Sequence, residues 1–123
     1  MTNLNEVRAK RKAGQQFNAL YLTRNDIYLA MTIRSFLCAD TEAIYEGGSP
    51  KRFRNIENVA QRKLQMLDDA GELKDLRSPP GNRLEALSGN RAGQHSIRIN
   101  DQWRVCFVWT DSGPMNVEVV DYH

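Results

Sequence analysis

The chain has 123 residues, which is enough for one domain with a modest core and too few for two. Its composition, 41% hydrophobic and 26% charged, is ordinary for a globular protein. No apolar run approaches the roughly 18 residues of a membrane helix, and residues 1–30 lack the apolar centre of a secretory signal, so we expect a cytoplasmic protein with no membrane partner.

The net charge of +2 is unevenly distributed. Residues 1–30 carry five Lys/Arg against two Asp/Glu, whereas the rest of the chain holds twelve against thirteen and is not globally basic. Within it, residues 77–104 contain five arginines and no lysine: Arg77, Arg83, Arg91, Arg98 and Arg104. Guanidinium groups bind phosphate in bidentate fashion, so this cluster indicates a phosphate site, with scattered solvated charge as the alternative.

The compact domain is predicted to begin near Met31. Residues 1–30 show no clean periodicity, and we interpret them as an N-terminal extension, either a flexible tail or the product of an upstream start codon. After Met31, "TIRSF" alternates β-branched and polar residues, which is typical of a short strand. We therefore divide the chain into residues 1–30 and a domain at 31–123.

Two helices are predicted next. Asp40 is a candidate N-cap for a short helix that Gly47 and Gly48 stop, and Asn55 is a candidate N-cap for a longer one. The longer helix has an apolar stripe at three- and four-residue steps: Ile56, Val59, Ala60, Lys63, Leu64 and Leu67. Its charges are expected to form the solvated face: Arg62, Lys63, Asp68 and Asp69.

The second half of the chain changes period from helical to two. "SPPGN" predicts an irregular loop, and "HSIRI", "WRVCFVW" and "NVEVV" follow as strands, the last two joined by the turn-forming "DSGP". Helices followed by consecutive strands indicate an α+β domain, with two N-terminal helices packed on a twisted antiparallel β-sheet.

The hairpin between the first two of these strands has a predictable register. If residues 100–102 form a three-residue loop, Ile99 faces Trp103 and the large apolar side chains share one face. The same register sets Arg98 directly across from Arg104. A two-residue loop would mix apolar and charged groups on each face.

Two arginines facing each other destabilise a sheet by about 0.2–1 kcal/mol unless an anion lies between them. Arg98 and Arg104 therefore predict phosphate binding, and Arg91, in a glycine-flanked loop, could add a third guanidinium. In the alternative interpretation, Asp101 or Glu118 neutralises the pair as a salt-bridge network.

The two cysteines, Cys38 and Cys106, and the two histidines, His95 and His123, show no metal-ligand spacing, so no metal site is predicted. Cys106 lies in a strand pattern and is interpreted as a small buried hydrophobe rather than a nucleophile.

The chain ends in "VEVVDYH", which brings Asp121, Tyr122 and His123 to the end of the last strand. If that end lies beside the arginine pair, the three side chains could serve phosphodiester cleavage: an imidazole to move a proton, a phenol as donor and cations for the phosphorane. The alternative is a solvated, inert terminal histidine and a tyrosine that packs on the sheet edge.

Residues 31–123 resemble the HigB group of the RelE-like toxin superfamily. The resemblance is carried by "MTIRSF", "LRSPPGNRLEALSGNRAGQHSIRINDQWRVCFVW" and the terminal "VEVVDYH". It implies a type II toxin that enters the ribosomal A site and cleaves mRNA by metal-independent attack of a 2′-hydroxyl, without a cofactor. It also implies a cognate helix-turn-helix antitoxin of the HigA kind, with operator DNA bound only through that antitoxin.

The resemblance carries roles onto individual residues. The implied catalytic residues are His123, Tyr122, Asp121, Arg104 and Arg91. The implied RNA and phosphate contacts are Arg98, Arg83, Asn90, Gln102 and Glu85. Glu85 stands where some relatives have a catalytic histidine, so either Glu85 takes part of the proton transfer or the enzyme is slower. An inhibitor that occupies RNA or the ribosome without cleavage is the alternative function.

Overall fold

The structure is a computed structural model that describes residues 32–122. In this range the chain forms two α-helices and then four strands. The elements are α1 (Ala39–Tyr45), α2 (Glu57–Asp69), β1 (Glu85–Ala86), β2 (His95–Arg98), β3 (Trp103–Thr110) and β4 (Gly113–Asp121). The strands lie in sequence order in one sheet, and every neighbouring pair is antiparallel. The predicted α+β class is confirmed; the prediction for residues 1–30 lies outside the described residues.

The segment before α1 is extended but is not the strand that was predicted for "TIRSF". It runs along the outer edge of β4, where Phe36 forms a single parallel bridge with Val117. Opposite it, β4 has a bulge at Asn116, whose φ of 55° is a left-handed conformation that asparagine tolerates. Ser35 Oγ accepts a hydrogen bond from the Asn116 N–H at 2.8 Å, and the bulge interrupts a regular ladder.

Both predicted helix caps are wrong. Cys38 occupies the N-cap position of α1 and makes no side-chain cap, while Asp40 lies inside the first turn. The N-cap of α2 is Ile56, because a 3₁₀ turn at Lys51–Phe53 precedes the helix and displaces Asn55 from the start. The predicted stop of α1 at Gly47 is confirmed by its φ of 92° and its hydrogen bond to the carbonyl of Ile44.

The core lies between the helices and one face of the sheet. The apolar stripe of α2 supplies Ala60, Leu64 and Leu67, which are fully buried against the sheet's inward residues: Ile97, Val105, Phe107, Val117 and Val119. Asp68 was expected in solvent but is only 3% exposed, and its carboxylate accepts a hydrogen bond from the Ile33 N–H at 3.0 Å. This buried contact ties the segment before α1 to α2.

The hairpin register was predicted correctly. Ile97 pairs with Val105 and Arg98 with Arg104, and the Ile99 N–H donates to the carbonyl of Trp103 around the loop at residues 100–102. The next connection is shorter than expected from "DSGP", since Thr110 already pairs with Gly113 and β4 starts there.

The sequence analysis missed strand β1, in the stretch between "SPPGN" and "HSIRI". It has only two residues, which pair with β2 as Glu85 with Ser96 and Ala86 with His95. Short 3₁₀ turns at Pro80–Asn82 and Gly89–Arg91 flank it. The strand positions Glu85 beside the arginines.

Within residues 32–122 there is no helix of the length and apolarity that crossing a bilayer requires.

Candidate active site

One face of the sheet packs on the helices, and the opposite face carries the facing arginines Arg98 and Arg104. Paired residues on neighbouring strands share a face, as do residues two apart on one strand. Two rows therefore lie side by side: Glu85, Ser96, Cys106 and Glu118 in the first, and Arg98, Arg104 and Val120 in the second. We call this surface the arginine face.

Arg104 is the fixed centre of the arginine face. It is only 8% exposed, and its Nε donates to Ser96 Oγ at 2.7 Å while its Nη2 donates to the carbonyl of Arg83 at 2.6 Å. Glu85 Oε1 lies 3.5 Å from the same Nη2, on a half-exposed side chain. A buried guanidinium held in one orientation is preorganised to meet an anion.

Arg98 and the nearby loop residue Arg91 each have a carboxylate partner. Arg98 Nη2 lies 2.5 Å from Asp101 Oδ1, and Arg91 Nη1 lies 3.2 Å from Glu118 Oε1. The salt-bridge interpretation is thus confirmed for Asp101, whereas Glu118 neutralises Arg91 and not the facing pair. The pair is already compensated, so strand pairing alone does not demand a phosphate.

Tyr122 lies over the central arginine. The guanidinium carbon of Arg104 is 5.7 Å from the centroid of the Tyr122 ring, within the range of a cation–π contact. The Tyr122 N–H donates to the Gln102 carbonyl at 2.6 Å, which fixes the last described residue on the hairpin loop. A phenol and a guanidinium are therefore adjacent on the arginine face.

Asp121 lies in register with Trp103, on the opposite side of the strand from Arg104. Its Oδ2 accepts a hydrogen bond from Gln102 Nε2 at 3.1 Å. His123 is outside the described residues. The roles of all three residues stay predictions.

The remaining candidate residues lie at the rim. Asn90 is exposed in the 3₁₀ turn at Gly89–Arg91, and Gln94 accepts from Arg91 Nη1 at 3.0 Å in the same loop. Arg83 has an exposed side chain and a left-handed backbone with φ of 45°, and its carbonyl is the one that holds Arg104.

Cys106 lies among these charges without access to solvent. Burial raises the pKa of its thiol, Arg91 lowers it, Glu118 raises it and Arg104 lowers it, and the net shift is upward. The thiolate is the reactive form of cysteine, so a buried thiol with a raised pKa is a packing group. The interpretation of Cys106 as a buried hydrophobe is confirmed.

A pocket of about 370 Å³ lies away from the arginine face, at the edge of the sheet beneath β1. Its lining residues are Leu73, Lys74, Arg77, Leu84, Ala86 and His95. His95 faces the helix side, where its ring stacks on Phe107 at 6.3 Å, and its Nδ1 is buried without a hydrogen-bond partner. Arg77 of the sequence cluster therefore lies apart from the other arginines.

Two residues of the arginine face and its border were missed. Ser96 orients Arg104, and the predicted hairpin register could have found it, because that register sets Ser96 beside Arg104 on the same face. Lys63 was assigned to the apolar stripe and to the solvated face of α2, whereas its Nζ donates to the buried Asn82 Oδ1 at 2.6 Å. No local sequence signal indicates that contact.

Among residues 32–122, no group of three or more His, Cys, Asp or Glu side chains is placed to hold a metal ion.

Comparison with known proteins identifies the class that this fold and arginine face represent, namely the RelE-like toxins. A family model described as "RelE-like toxin of type II toxin-antitoxin system HigB" matches residues 40–123. The match spans more than half of the chain, and the chain belongs to this HigB family. The resemblance drawn from the sequence is confirmed, and a type II toxin implies an antitoxin partner.

Two relatives show how far the similarity extends. The chain is 47% identical over 77 residues to "Toxin HigB-1" of Vibrio cholerae, an alignment that covers 61% of this chain and 81% of that protein. It is 36% identical over 63 residues to an "Uncharacterized protein" of Haemophilus influenzae, covering 51% of this chain and 62% of that protein.

Proposed function

We propose that this toxin is a ribosome-dependent endoribonuclease that cleaves mRNA in the A site. The observation that carries the proposal is the Arg104 guanidinium, held by Ser96 and the Arg83 carbonyl, with the Tyr122 ring 5.7 Å from its carbon on the arginine face. A rigid cation beside a proton-donating side chain is what in-line phosphodiester cleavage requires.

In the proposed reaction, the 2′-hydroxyl of one nucleotide attacks the adjacent phosphorus after losing its proton to a base. The bond from phosphorus to the 5′-oxygen breaks, and that oxygen takes a proton from an acid. His123 and Tyr122 serve as the proton-transfer groups. Arg104, with Arg91 beside it, stabilises the extra negative charge on the phosphorane. Asp121, through Gln102, orients the C-terminal segment.

Glu85 is the residue that would have to yield to the phosphate. Its carboxylate lies 3.5 Å from Arg104 Nη2 and is half-exposed, so a substrate phosphate can displace it into solvent while Ser96 and the Arg83 carbonyl keep the guanidinium in place. Arg98, Arg83, Asn90 and Gln102 form the surrounding RNA contacts.

The decisive experiment maps mRNA 5′ ends during induction of the wild type and of two variants, His123→Ala and Tyr122→Phe. His123→Ala is expected to lower cleavage by about 10²- to 10⁴-fold, the usual contribution of an acid–base group. Tyr122→Phe keeps the ring over Arg104 and removes only the hydroxyl, so a loss of cleavage in this variant assigns a role to the phenol itself. Both variants must still bind the antitoxin, which shows that they fold.

The alternative is inhibition by occupancy of RNA or the ribosome. This alternative uses the same arginines but needs no proton-transfer group, so it depends on neither His123 nor the Tyr122 hydroxyl. Occupancy produces growth arrest with no new 5′ ends, and it survives His123→Ala. Undiminished toxicity of both variants would overturn the cleavage mechanism.

The antitoxin partner is proposed to be a HigA-like helix-turn-helix protein encoded next to the toxin, with operator DNA bound only by the complex. The near-neutral charge of the domain supports this division of labour, because DNA binding by the toxin alone would need a basic surface. A mobility-shift assay with operator DNA should show binding by the complex and none by the toxin.

A further inference from the structure

Lys63, on helix α2, has an unusually rigid anchor for a lysine. Its Nζ donates to Asn82 Oδ1 at 2.6 Å, and Asn82 is fully buried. The Asn82 amide nitrogen in turn donates to the carbonyls of Leu76 and Ser78 at 3.1 and 3.3 Å. The ammonium is therefore held at one position, whereas the end of an exposed lysine side chain is free to move in solvent.

The anchor of Lys63 is continuous with the anchor of the catalytic arginine. Asn82 and Arg83 are consecutive, and the Arg83 carbonyl accepts the hydrogen bond from Arg104 at 2.6 Å. Arg83 has a left-handed backbone, a conformation that is rare outside glycine and that recurs at functional sites. One turn thus fixes a cation from the helix layer and a cation from the sheet at the border of the arginine face.

Two arginines, Arg62 and Arg98, act on the charge of Lys63. Burial lowers its pKa below the ordinary value, and the nearby cations of Arg62 and Arg98 lower it further. Within residues 32–122, Lys63 has no carboxylate at salt-bridge distance, and the carboxylate that reaches Arg98 belongs to the fully exposed Asp101. A fixed cation among other cations is stabilised by an external anion.

We propose that Lys63, together with Arg98, forms a second phosphate subsite that binds a backbone phosphate of single-stranded RNA next to the scissile one. The inference rests on the proposed function for the identity of the ligand. It extends the RNA path from Arg104 over the edge of β2, past the Arg83 side chain, to helix α2. Phosphate contacts of this kind fix the register of the strand without reading its bases.

The test is the salt dependence of binding to a 2′-O-methyl RNA oligonucleotide, which cannot be cleaved by its own 2′-oxygen. Each phosphate neutralised in a single strand contributes about 0.7 to the slope of log K against log salt. Lys63→Gln is expected to weaken binding at low salt and to reduce the slope by about that amount. Lys63→Arg, which keeps the charge, is expected to restore most of the slope.

Lys74→Gln is the matched control. It changes the net charge equally, but Lys74 is an exposed lysine whose nearest carboxylate, on Glu72, is 3.9 Å away. The control should keep the wild-type slope. Equal effects of the two glutamine variants, or no RNA binding by the wild type, would overturn the subsite.

A purely structural role for Lys63 has a different signature. If the lysine only supports the turn through Asn82, Lys63→Gln lowers the unfolding temperature and leaves the slope unchanged, which would also overturn the proposal. The proposed function can fail independently of the subsite. In that case the wild type binds the oligonucleotide with a salt slope that depends on Lys63, but its induction produces no new mRNA 5′ ends. The subsite would then stand and the cleavage chemistry would not.

Discussion

Arg98 and Arg104 face each other across the β2–β3 hairpin, and each has a different carboxylate partner. Arg98 meets Asp101 in the hairpin loop at 2.5 Å, and Arg104 meets Glu85 on the neighbouring strand at 3.5 Å. Two carboxylates divided between two arginines offset the repulsion within the pair. Each carboxylate is also exposed enough to be replaced by a phosphate.

The compensation of this pair can be measured by substitution. Arg98→Gln removes the repulsion and a largely exposed salt bridge, so the free energy of unfolding should stay within about 1 kcal/mol of the wild type. Asp101→Asn leaves the repulsion and should be destabilising. Urea unfolding in low and high salt checks this, since the difference between the variants should shrink at about 1 M salt, where the Debye length is about 3 Å. A strongly destabilised Arg98→Gln would contradict it.

Arg104→Lys should lower both stability and toxicity although the charge is kept. An ammonium cannot reproduce the fork that reaches Ser96 Oγ and the Arg83 carbonyl, and one buried acceptor left unpaired costs about 1–3 kcal/mol. Denaturant unfolding and growth assays measure the two effects. Arg77→Lys is the control, because Arg77 is exposed and lies apart from the arginine face. Comparable losses at both positions would show that Arg104 has no special geometry.

Cys106 should give the protein a component of alkaline instability. The pKa of the Cys106 thiol in the folded protein lies above the ordinary thiol value of 9.0. The stability that the protonated thiol contributes is therefore complete below pH 9.0 and is lost as the pH rises from 9.0 through the folded pKa. Unfolding free energies from pH 7 to 10 should therefore fall more steeply for the wild type than for Cys106→Ala.

Maleimide should label Cys38 first in the native protein, and fast labelling of Cys106 would disprove its burial.

The predicted domain boundary near Met31 implies that a chain that begins there unfolds with the free energy of the full chain. Ile33 is fully buried in the core and its N–H donates to the buried Asp68, so the domain must include it. Removal of residues 1–35 should then cost at least the 2–5 kcal/mol typical of deleting a buried isoleucine side chain. Unfolding of the two truncated chains in guanidinium chloride measures both free energies. Marked destabilisation of the chain that begins at Met31 would place the domain boundary upstream of Met31.

The local features were predictable because short-range geometry fixes them. Alternation with a period of two places Arg104 and Ile99 on opposite faces, and only a three-residue loop keeps the apolar residues together, so the register of Arg98 with Arg104 followed from fifteen consecutive residues. Gly47 ended α1 for a similarly local reason, its positive φ.

The helix caps and strand β1 were not predictable on those grounds. Asn55 is a good cap in isolation, but the preceding 3₁₀ turn buries Phe53 in the core and shifts the start of α2. Glu85 and Ala86 carry no strand signal of their own, and they pair only because β2 offers an edge at that position.

The sequence by itself determined the toxin family, the α+β order of elements and the arginine pair, since these depend on motif identity and on periodicity within single segments. Tertiary structure alone decided which anions meet which arginines, that Asp68 is buried, and that the turn at Asn82 and Arg83 joins Lys63 to Arg104. Such contacts join residues far apart in the chain. Their geometry depends on how the helix layer packs on the sheet, and no local sequence pattern encodes that packing.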